Sequence, residues 1–252
     1  RVLFRSLDDI KNKQLRVLHD KSFIDDPTRI LRALKFSVRF GFQLEEHTKF
    51  FRDEYLKNIN YDMSFKRVKK ELIETFNLNS QKAFDEFISD NIYKLVTPEY
   101  TAKPDINIEQ LINTYKTEIN PSDIWLIYVG TLNNLEYLEP TLTKEEQKII
   151  SDYRSIKSVE PKNDFETYKM FENKRTESVL LYGILNNIEI AKKYLDNLKN
   201  IKILITGKDL QNMGVKPSHK YRECFDFILR KKLSGKTFTY ADERALAKEF
   251  FM

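Results

Sequence analysis

A carboxylate and a guanidinium lie three residues apart at Asp26 and Arg29. Residues at this spacing are neighbours on the surface of a helix, so a hydrogen-bond acceptor is placed beside a donor. Such a pair matches the pairing edge of cytosine and of adenine, where an amino donor adjoins a ring-nitrogen acceptor; uracil and guanine reverse the pattern. The alternative interpretation is a helix cap at Asp26 with a local ion pair, and Asp26 can serve both roles.

The pair is expected at the start of an amphipathic helix within residues 25–42, DDPTRILRALKFSVRFGF. Asp26 followed by Pro27 is a strong helix start, because the carboxylate accepts from free N–H groups and proline has no N–H to leave unpaired. Gly41 is a typical helix end. At about 100° per residue, the helix has one apolar stripe and one basic row. The stripe is Ile30, Leu31, Leu34 and Val38, and the row is Arg29, Arg32, Lys35 and Arg39.

The same stretch resembles the fourth motif, E-D-x-x-R, of the class II nucleotidyltransferases, the family of tRNA CCA-adding enzymes and bacterial poly(A) polymerases. The wider family pattern is similar to E-D-P-x-R-I-L-R-A-I-R-F-A-A-R-F-G-F, with Asp25 in place of Glu and Lys35 in place of a usual Arg. The resemblance implies nucleotide contacts for Asp26, Arg29, Arg32 and Lys35. For Arg32 and Lys35 the alternative is a solvated cation, since Lys35 lies roughly 120° around the helix from Arg29.

Two further segments resemble the family. Residues 7–16, LDDIKNKQLR, are similar to its third motif, with Asp9 and Arg16 retained and the Gly-Gly turn absent. Residues 64–76, SFKRVKKELIETF, resemble its fifth motif, S-x-E-R-I-x-x-E-L, whose helix braces the neck in the family. Residues 1–6, RVLFRS, match nothing expected there. We interpret them as foreign or as a translation artefact, with a divergent native N-terminus as the alternative.

The end of the chain carries another match and a basic surface. Residues 203–217, ILITGKDLQNMGVKP, resemble the tail signature I-x-G-x-D-L-x-x-x-G-x-x-P-G-P-x-x-G. Ser218 and Arg222 replace usual glycines and His219 replaces a proline, so long-range cationic contacts are expected there. The predicted RNA-binding residues are Lys208, Lys216, Lys220, Arg222, Arg230, Lys231 and Lys232, and Lys236 extends their basic character.

Composition predicts an all-α protein. Glycine is scarce, with 6 in 252 residues, and charged residues reach 32%, which suits helices better than sheets. The resemblance implies an elongated multi-helix arrangement of neck, body and tail. Its expected parts are a remnant of the head and its connection at 1–24, a neck at 25–100, a helical body at 101–200 and a basic helical tail at 201–252.

Apolar periodicity places the other helices. A helix over 45–56 is expected to hold Phe50 and Phe51 in its apolar stripe, and Ser64 is expected to cap the next helix. Most aromatic side chains are predicted to pack in the core rather than to act as stacking platforms. Further helices are predicted over 106–117, 121–132, 143–153, 164–172, 175–186, 188–198 and 239–250.

The distribution of charge indicates a polyanionic partner. The net charge is +5, yet residues 1–70 contain 17 basic and 10 acidic side chains, and residues 201–252 contain 11 and 6. The region between them has 15 basic and 22 acidic side chains. Basic ends around an acidic middle predict a polyanion contacted at two separated places, with chance clustering as the alternative.

The reaction implied by the resemblance is transfer of a nucleotide from CTP or ATP to an RNA 3′ end. This chemistry needs divalent metal ions held by close carboxylates. The family holds magnesium in an N-terminal head, on G-G-x-x-R-D and D-x-D motifs, and neither motif occurs here. We therefore expect no catalytic or metal-binding residue in this chain. It is expected to be inactive alone and to supply base selection and tRNA binding, with tRNA, ATP and CTP as partners.

Other functional classes are less well supported by the sequence. Cys224 is the only cysteine, which excludes a disulfide framework and favours a reducing, cytoplasmic setting. His19-Asp20 spells an HD dipeptide, but His47 and His219 stand apart, so an HD-type metal site lacks ligands. No apolar run reaches membrane length. The alternatives that stay open are a poly(A) polymerase fragment, a non-catalytic RNA-binding protein and a helical scaffold, and addition of CCA, A only or CC only is not distinguished.

Overall fold

The structure is a computed structural model that describes residues 7–102, 104–132, 134–235 and 238–252. Residues 1–6, interpreted above as foreign, and the basic Lys236 lie outside the described residues. The described chain contains fifteen α-helices, five short 3-10 helices and two short strands, which confirms the predicted all-α class. Among the described residues, no helix combines the length and the apolar character needed to cross a bilayer.

Each predicted helix is present with its ends shifted by a few residues. In chain order the α-helices are α1 (Leu7–Lys11), α2 (Ser22–Asp25), α3 (Thr28–Phe40), α4 (Glu46–Lys57), α5 (Phe65–Phe76), α6 (Gln81–Ser89), α7 (Ile108–Thr114), α8 (Ile124–Gly130), α9 (Lys144–Ile156), α10 (Asp164–Phe171), α11 (Thr176–Leu185), α12 (Ile188–Asp196), α13 (Gly207–Asn212), α14 (Lys220–Leu233) and α15 (Tyr240–Phe251).

The strands and 3-10 helices are short. Strands β1 (Gln14–Leu15) and β2 (Gln43–Leu44) pair in parallel, with Gln14 opposite Gln43. They join the residues before α2 to the residues after α3. The 3-10 helices are Ile92–Leu95, Lys116–Glu118, Pro121–Asp123, Glu139–Thr141 and Leu198–Asn200.

The chain forms two compact units. The first comprises the residues up to Arg154 together with Arg175–Asn186, and the second comprises Ser155–Lys174 and Asn187–Met252. This division is coarser than the four parts predicted from the sequence. The neck, body and tail boundaries therefore stay a prediction.

In the first unit, α3 packs against α5, and most of the apolar stripe predicted for α3 lies inward. Ile30, Leu31 and Leu34 of α3 are buried, whereas Val38 is half-buried. The Phe76 ring of α5 adds an aromatic cluster by stacking at 5.3 Å on a tyrosine of α8 and meeting a phenylalanine of α6 edge-on. Aromatic side chains therefore form much of this core, as expected.

The packing face predicted for α4 is wrong. Phe50 is 58% exposed and Phe51 is half-buried, while Thr48 and Arg52 face inward. Arg52 can be buried because its guanidinium donates to Asp90, with 2.5 Å between Nη1 and Oδ2. Because this ion pair compensates for burying the arginine, the helix can place Arg52 inward and Phe50 outward. A prediction from hydrophobic periodicity alone does not include ion pairs.

The second unit has its own small core. α13 and α15 each begin with a capping box, formed by Thr206 with Asp209 and by Thr239 with Asp242. Each box satisfies two N–H groups at the helix start, which helps to define the short α13. The buried core residues of this unit include Ile205, Leu210, Cys224, Ile228 and Ala247.

Candidate functional site

Asp26 caps the start of α3. Its backbone is extended, Pro27 follows in helical conformation, and α3 begins at Thr28, one residue later than the sequence predicted. Asp26 Oδ1 accepts from the Thr28 backbone N at 3.2 Å and from Thr28 Oγ1 at 2.5 Å. The helix ends at Gly41, whose φ of 67° lies in the left-handed region. Both helix ends thus follow the local sequence chemistry.

Arg29 lies beside Asp26, as the spacing of the two residues requires. Arg29 Nε is 3.9 Å from Asp26 Oδ2, and Arg29 Nη1 donates to the backbone O and Oγ of Ser22 at 3.0 and 2.5 Å. The side chain of Arg29 is 29% exposed. Its Nη2 has no hydrogen-bond partner in the part of the chain that the structure describes. Ser22 was not anticipated, because nothing in its spacing marks it as a partner of α3.

A second arginine, Arg67 at the start of α5, holds the other oxygen of Asp26. Arg67 Nη2 lies 2.6 Å from Asp26 Oδ2. Burial acts to raise the pKa of Asp26, but hydrogen bonds from Thr28 and Arg67 outweigh burial and hold that pKa below its usual value. Asp26 is therefore a charged, acceptor-only group at neutral pH. Arg67 belongs to the fifth-motif match, which predicts a bracing helix. That match does not predict the contact between Arg67 and Asp26.

The remaining predicted nucleotide contacts, Arg32 and Lys35, form ion pairs with α5. Arg32 Nε lies 2.7 Å from Glu71 Oε1, and Lys35 Nζ lies 3.0 Å from Glu71 Oε2 and 2.5 Å from Glu74 Oε2. The hydrogen bond with Glu71 raises the pKa of Arg32, and that with Lys35 lowers the pKa of Glu74. Lys35 is only 8% exposed, so it is not a solvated cation.

The predicted RNA-binding residues of the second unit fall into two groups. Six of them are exposed: Lys208, Lys216, Lys220, Arg222, Arg230 and Lys231. Lys232 is different, because its Nζ pairs with Glu243 and donates to the Lys202 backbone O at 2.7 Å. Glu243 is fully buried and also accepts from the backbone N of Leu204 and Ile205. Lys232 thus anchors the segment that leads into α13.

The described residues do not group into a metal site. No three His, Cys, Asp or Glu side chains converge there as possible ligands. His19 Nε2 instead lies 3.5 Å from Asp25 Oδ2, and Asp9 pairs with Arg16 at 3.4 Å. Burial raises the pKa of the Cys224 thiol to about 11, which makes it a poor nucleophile.

These contacts define an all-α protein with a buried carboxylate beside a partly exposed guanidinium at a helix start, braced by a second helix of complementary charge. No protein-family model matches the chain. Two curated relatives are A-adding tRNA nucleotidyltransferases. The one from Halalkalibacterium halodurans is 27% identical over 98% of this chain and 62% of its own length. The one from Geobacter sulfurreducens is 25% identical over 97% of this chain and 32% of its own length.

Solved structures of CCA-adding enzymes have the same fold. The Thermotoga maritima enzyme complexed with tRNA has a TM-score of 0.73 at 23% identity, over 97% of this chain and 65% of that one. CCA-adding enzyme complexes with ATP and with CTP have TM-scores of 0.73 and 0.68, both at 23% identity, over 97% of this chain and 64% of those chains. At this identity the structural likeness concerns the fold alone.

The resemblance noted in the sequence is confirmed: the chain is related over nearly its whole length to A-adding and CCA-adding tRNA nucleotidyltransferases. It spans 62% and 32% of the lengths of the two A-adding relatives.

Proposed function

We propose that this chain is the base-selecting and tRNA-binding part of a cytoplasmic tRNA nucleotidyltransferase that adds A, or C and A, to the tRNA 3′ end. The observation that carries the proposal is the adjacency of Asp26 Oδ2 and the Arg29 guanidinium at the start of α3, where no described residue bonds to Arg29 Nη2. The relatives are named for A or CCA addition, and similar solved structures contain tRNA, ATP or CTP.

In this proposal, Asp26 accepts the amino group of cytosine or adenine while Arg29 donates to the adjacent ring nitrogen. Asp26 Oδ2 can accept a further hydrogen bond beside that from Arg67, because each carboxylate oxygen has two lone pairs. Uracil and guanine would direct a carbonyl at the carboxylate and an N–H at the guanidinium. Each unpaired polar group costs about 1–3 kcal/mol, which corresponds to about 5- to 150-fold discrimination.

Arg32 and Lys35 have an indirect role in this proposal. Their pairing with Glu71 fixes the face of α3 against α5, and Arg67 of α5 positions Asp26. Direct base reading is therefore assigned to Asp26 and Arg29. The exposed cations of the second unit supply contacts to tRNA phosphates, which add affinity without reading sequence.

The metal-dependent step is assigned to carboxylates outside these residues. Two-metal nucleotide transfer needs closely spaced carboxylates, and the sequence has neither D-x-D nor G-G-x-x-R-D. Magnesium would be held by a head of the kind that carries these motifs in the family. The chain alone, given Mg²⁺, CTP, ATP and a tRNA lacking its 3′ end, is expected to leave the tRNA unextended, and any extension would contradict this assignment.

The base-reading assignment can be tested in a chimaera in which this chain replaces the matching portion of the Halalkalibacterium halodurans enzyme. Asp26→Asn should lower incorporation from ATP and CTP and raise that from UTP, because the amide presents a donor to a carbonyl. Arg29→Ala should reduce discrimination by about tenfold, the equivalent of one lost hydrogen bond to a charged group. Primers with and without two terminal cytidines would separate A addition from CCA addition.

Arg39→Ala is the matched control, since Arg39 lies exposed in the last turn of the same helix. It should leave nucleotide choice unchanged. Unaltered selectivity in both the Asp26 and Arg29 variants would refute the base-reading role.

A further inference from the structure

A polar pocket of about 340 Å³ lies in the first unit where α4 and α6 end. Most of its lining side chains are charged or hydrogen-bonding: Lys49, Arg52, Asp53, Lys57, Ser89, Asp90, Asn91 and Lys94, with Leu56 as the apolar contribution. Its volume is at the lower end of the range for ligand-binding pockets. It is sufficient for a small polar group and part of the ligand molecule that carries that group. None of the residues assigned above to base reading lines it.

Both carboxylates of this pocket are bound by one guanidinium. Arg52 is 4% exposed and binds both of them, with Nη2 at 2.8 Å from Asp53 Oδ1 and Nη1 at 2.5 Å from Asp90 Oδ2. Lys57 pairs with Glu54 on its own helix. These ion pairs leave the remaining lysines without an anionic partner in the pocket wall.

Lys49 and Lys94 are the unpaired cations. Lys49 is exposed on α4 and Lys94 is half-buried in the 3-10 helix after α6. In the described ranges neither ammonium group has an ion-pair or hydrogen-bond partner, although the Lys94 backbone O accepts from Tyr61. Four cationic and two anionic side chains line the pocket, a net charge of +2. Glu54 offsets Lys57, and the carbonyl ends of α4 and α6 add about −0.5 each, so the attraction for an anion depends on the two unpaired ammonium groups rather than on net charge.

We propose that this pocket binds a phosphate group of an RNA backbone. Two free ammonium groups attract the anion, and the Ser89 hydroxyl and Asn91 amide supply hydrogen-bond donors beside them. The part of the pocket wall that α4 supplies lies within residues 1–70, where 17 basic side chains outnumber 10 acidic ones. It would form a backbone contact that holds the RNA in place without reading its sequence. The inference rests on the proposed tRNA-binding function.

The salt dependence of tRNA binding by this chain tests the assignment. The slope of log Kobs against log salt should become less steep by about 0.7–0.9 per lost phosphate contact in Lys49→Ala/Lys94→Ala. Lys49→Arg/Lys94→Arg keeps both charges and should retain the slope of the parent chain. The control is Lys82→Ala/Lys148→Ala, which removes two lysines of the same unit that pair with Glu86 and Asp152. It should leave the slope near that of the parent.

The outcomes separate this inference from the proposed function. If the parent chain bound no tRNA, the tRNA-binding function would fail and this inference with it. If the parent bound tRNA and the Lys49/Lys94 double variant kept its slope, only the pocket assignment would be overturned. Inorganic triphosphate that bound the parent but not the double variant, while both bound tRNA with the same salt slope, would overturn the choice of RNA and assign the pocket to a free nucleotide's phosphates.

Discussion

Glu71 is the residue whose removal should most disturb the α3–α5 interface. It is 4% exposed, and its two carboxylate oxygens accept from Arg32 and Lys35 at 2.7 and 3.0 Å. The substitution Glu71→Gln keeps the side-chain volume and one acceptor but removes the negative charge. Lys35, itself buried, would then face an amide rather than a carboxylate. The first unit should become less stable.

The size of the stability loss depends on which partners Arg32 and Lys35 keep in Glu71→Gln. Breaking a fully buried ion pair by removing one partner costs about 3–5 kcal/mol. Lys35 still has Glu74, and the Arg32 side chain is 34% exposed and can be hydrated. The expected loss is therefore smaller, about 2–3 kcal/mol. Lys35→Met should lower the free energy of unfolding by less than about 1 kcal/mol. Glu71 keeps its ion pair with Arg32, and an apolar side chain suits a buried position.

Urea unfolding followed by tryptophan fluorescence is the appropriate assay. Trp125 is the only tryptophan, is fully buried in α8 and belongs to the same unit as α3 and α5. With a slope of about 1–3 kcal/mol per molar urea, Glu71→Gln should lower the unfolding midpoint by about 1 M or more. A midpoint equal to that of the parent would refute the reasoning. So would a larger loss in Lys35→Met than in Glu71→Gln.

Two further predictions concern helix ends. Gly41→Ala should destabilise the first unit by about 1 kcal/mol in the same fluorescence assay. Gly41 has a φ of +67° and open space around it, so the loss of stability comes from backbone strain and not from a clash. Asp209 accepts hydrogen bonds from Tyr240, which has the larger effect, and from Thr206, and these lower the pKa of Asp209 to about 2. Its stabilising effect should be complete above about pH 4 and disappear as pH falls through 2. Tyr240→Phe should raise the Asp209 midpoint in a carbon-detected NMR titration, and an unchanged midpoint would exclude the Tyr240 hydrogen bond as the cause.

Local chemistry explains why the position of α3 was predictable. Asp26-Pro27 and Gly41 set its ends through caps and backbone dihedrals, which depend on neighbouring residues alone. The apolar stripe likewise places Ile30 and Leu31 in the core. The same applies to α15, where Thr239 caps the helix as its sequence indicates.

Long-range ion pairs explain what the sequence did not predict. The orientation of α4 depends on Arg52 meeting Asp90, 38 residues away. The contact between Arg67 and Asp26 spans 41 residues. Hydrophobic periodicity does not account for such partners, so it placed Phe50 inward and made a solvated cation the alternative for Lys35, which is buried. The sequence shows opposite charges along two predicted helices. Which charge of one helix meets which charge of the other is determined only when the helices pack.

The partner helix thus determines which cations of α3 remain available to a ligand. Periodicity alone makes Arg29, Arg32, Lys35 and Arg39 equivalent members of one basic row. Glu71 and Glu74 of α5 engage the middle two, while Arg67 holds one oxygen of the Asp26 carboxylate. Arg29 is the member of the row that lies beside the helix-capping carboxylate of Asp26, with 3.9 Å between Arg29 Nε and Asp26 Oδ2. In the proposed function, a base-reading edge therefore arises from a common amphipathic helix when a second helix neutralises the cations that would otherwise compete for the same ligand.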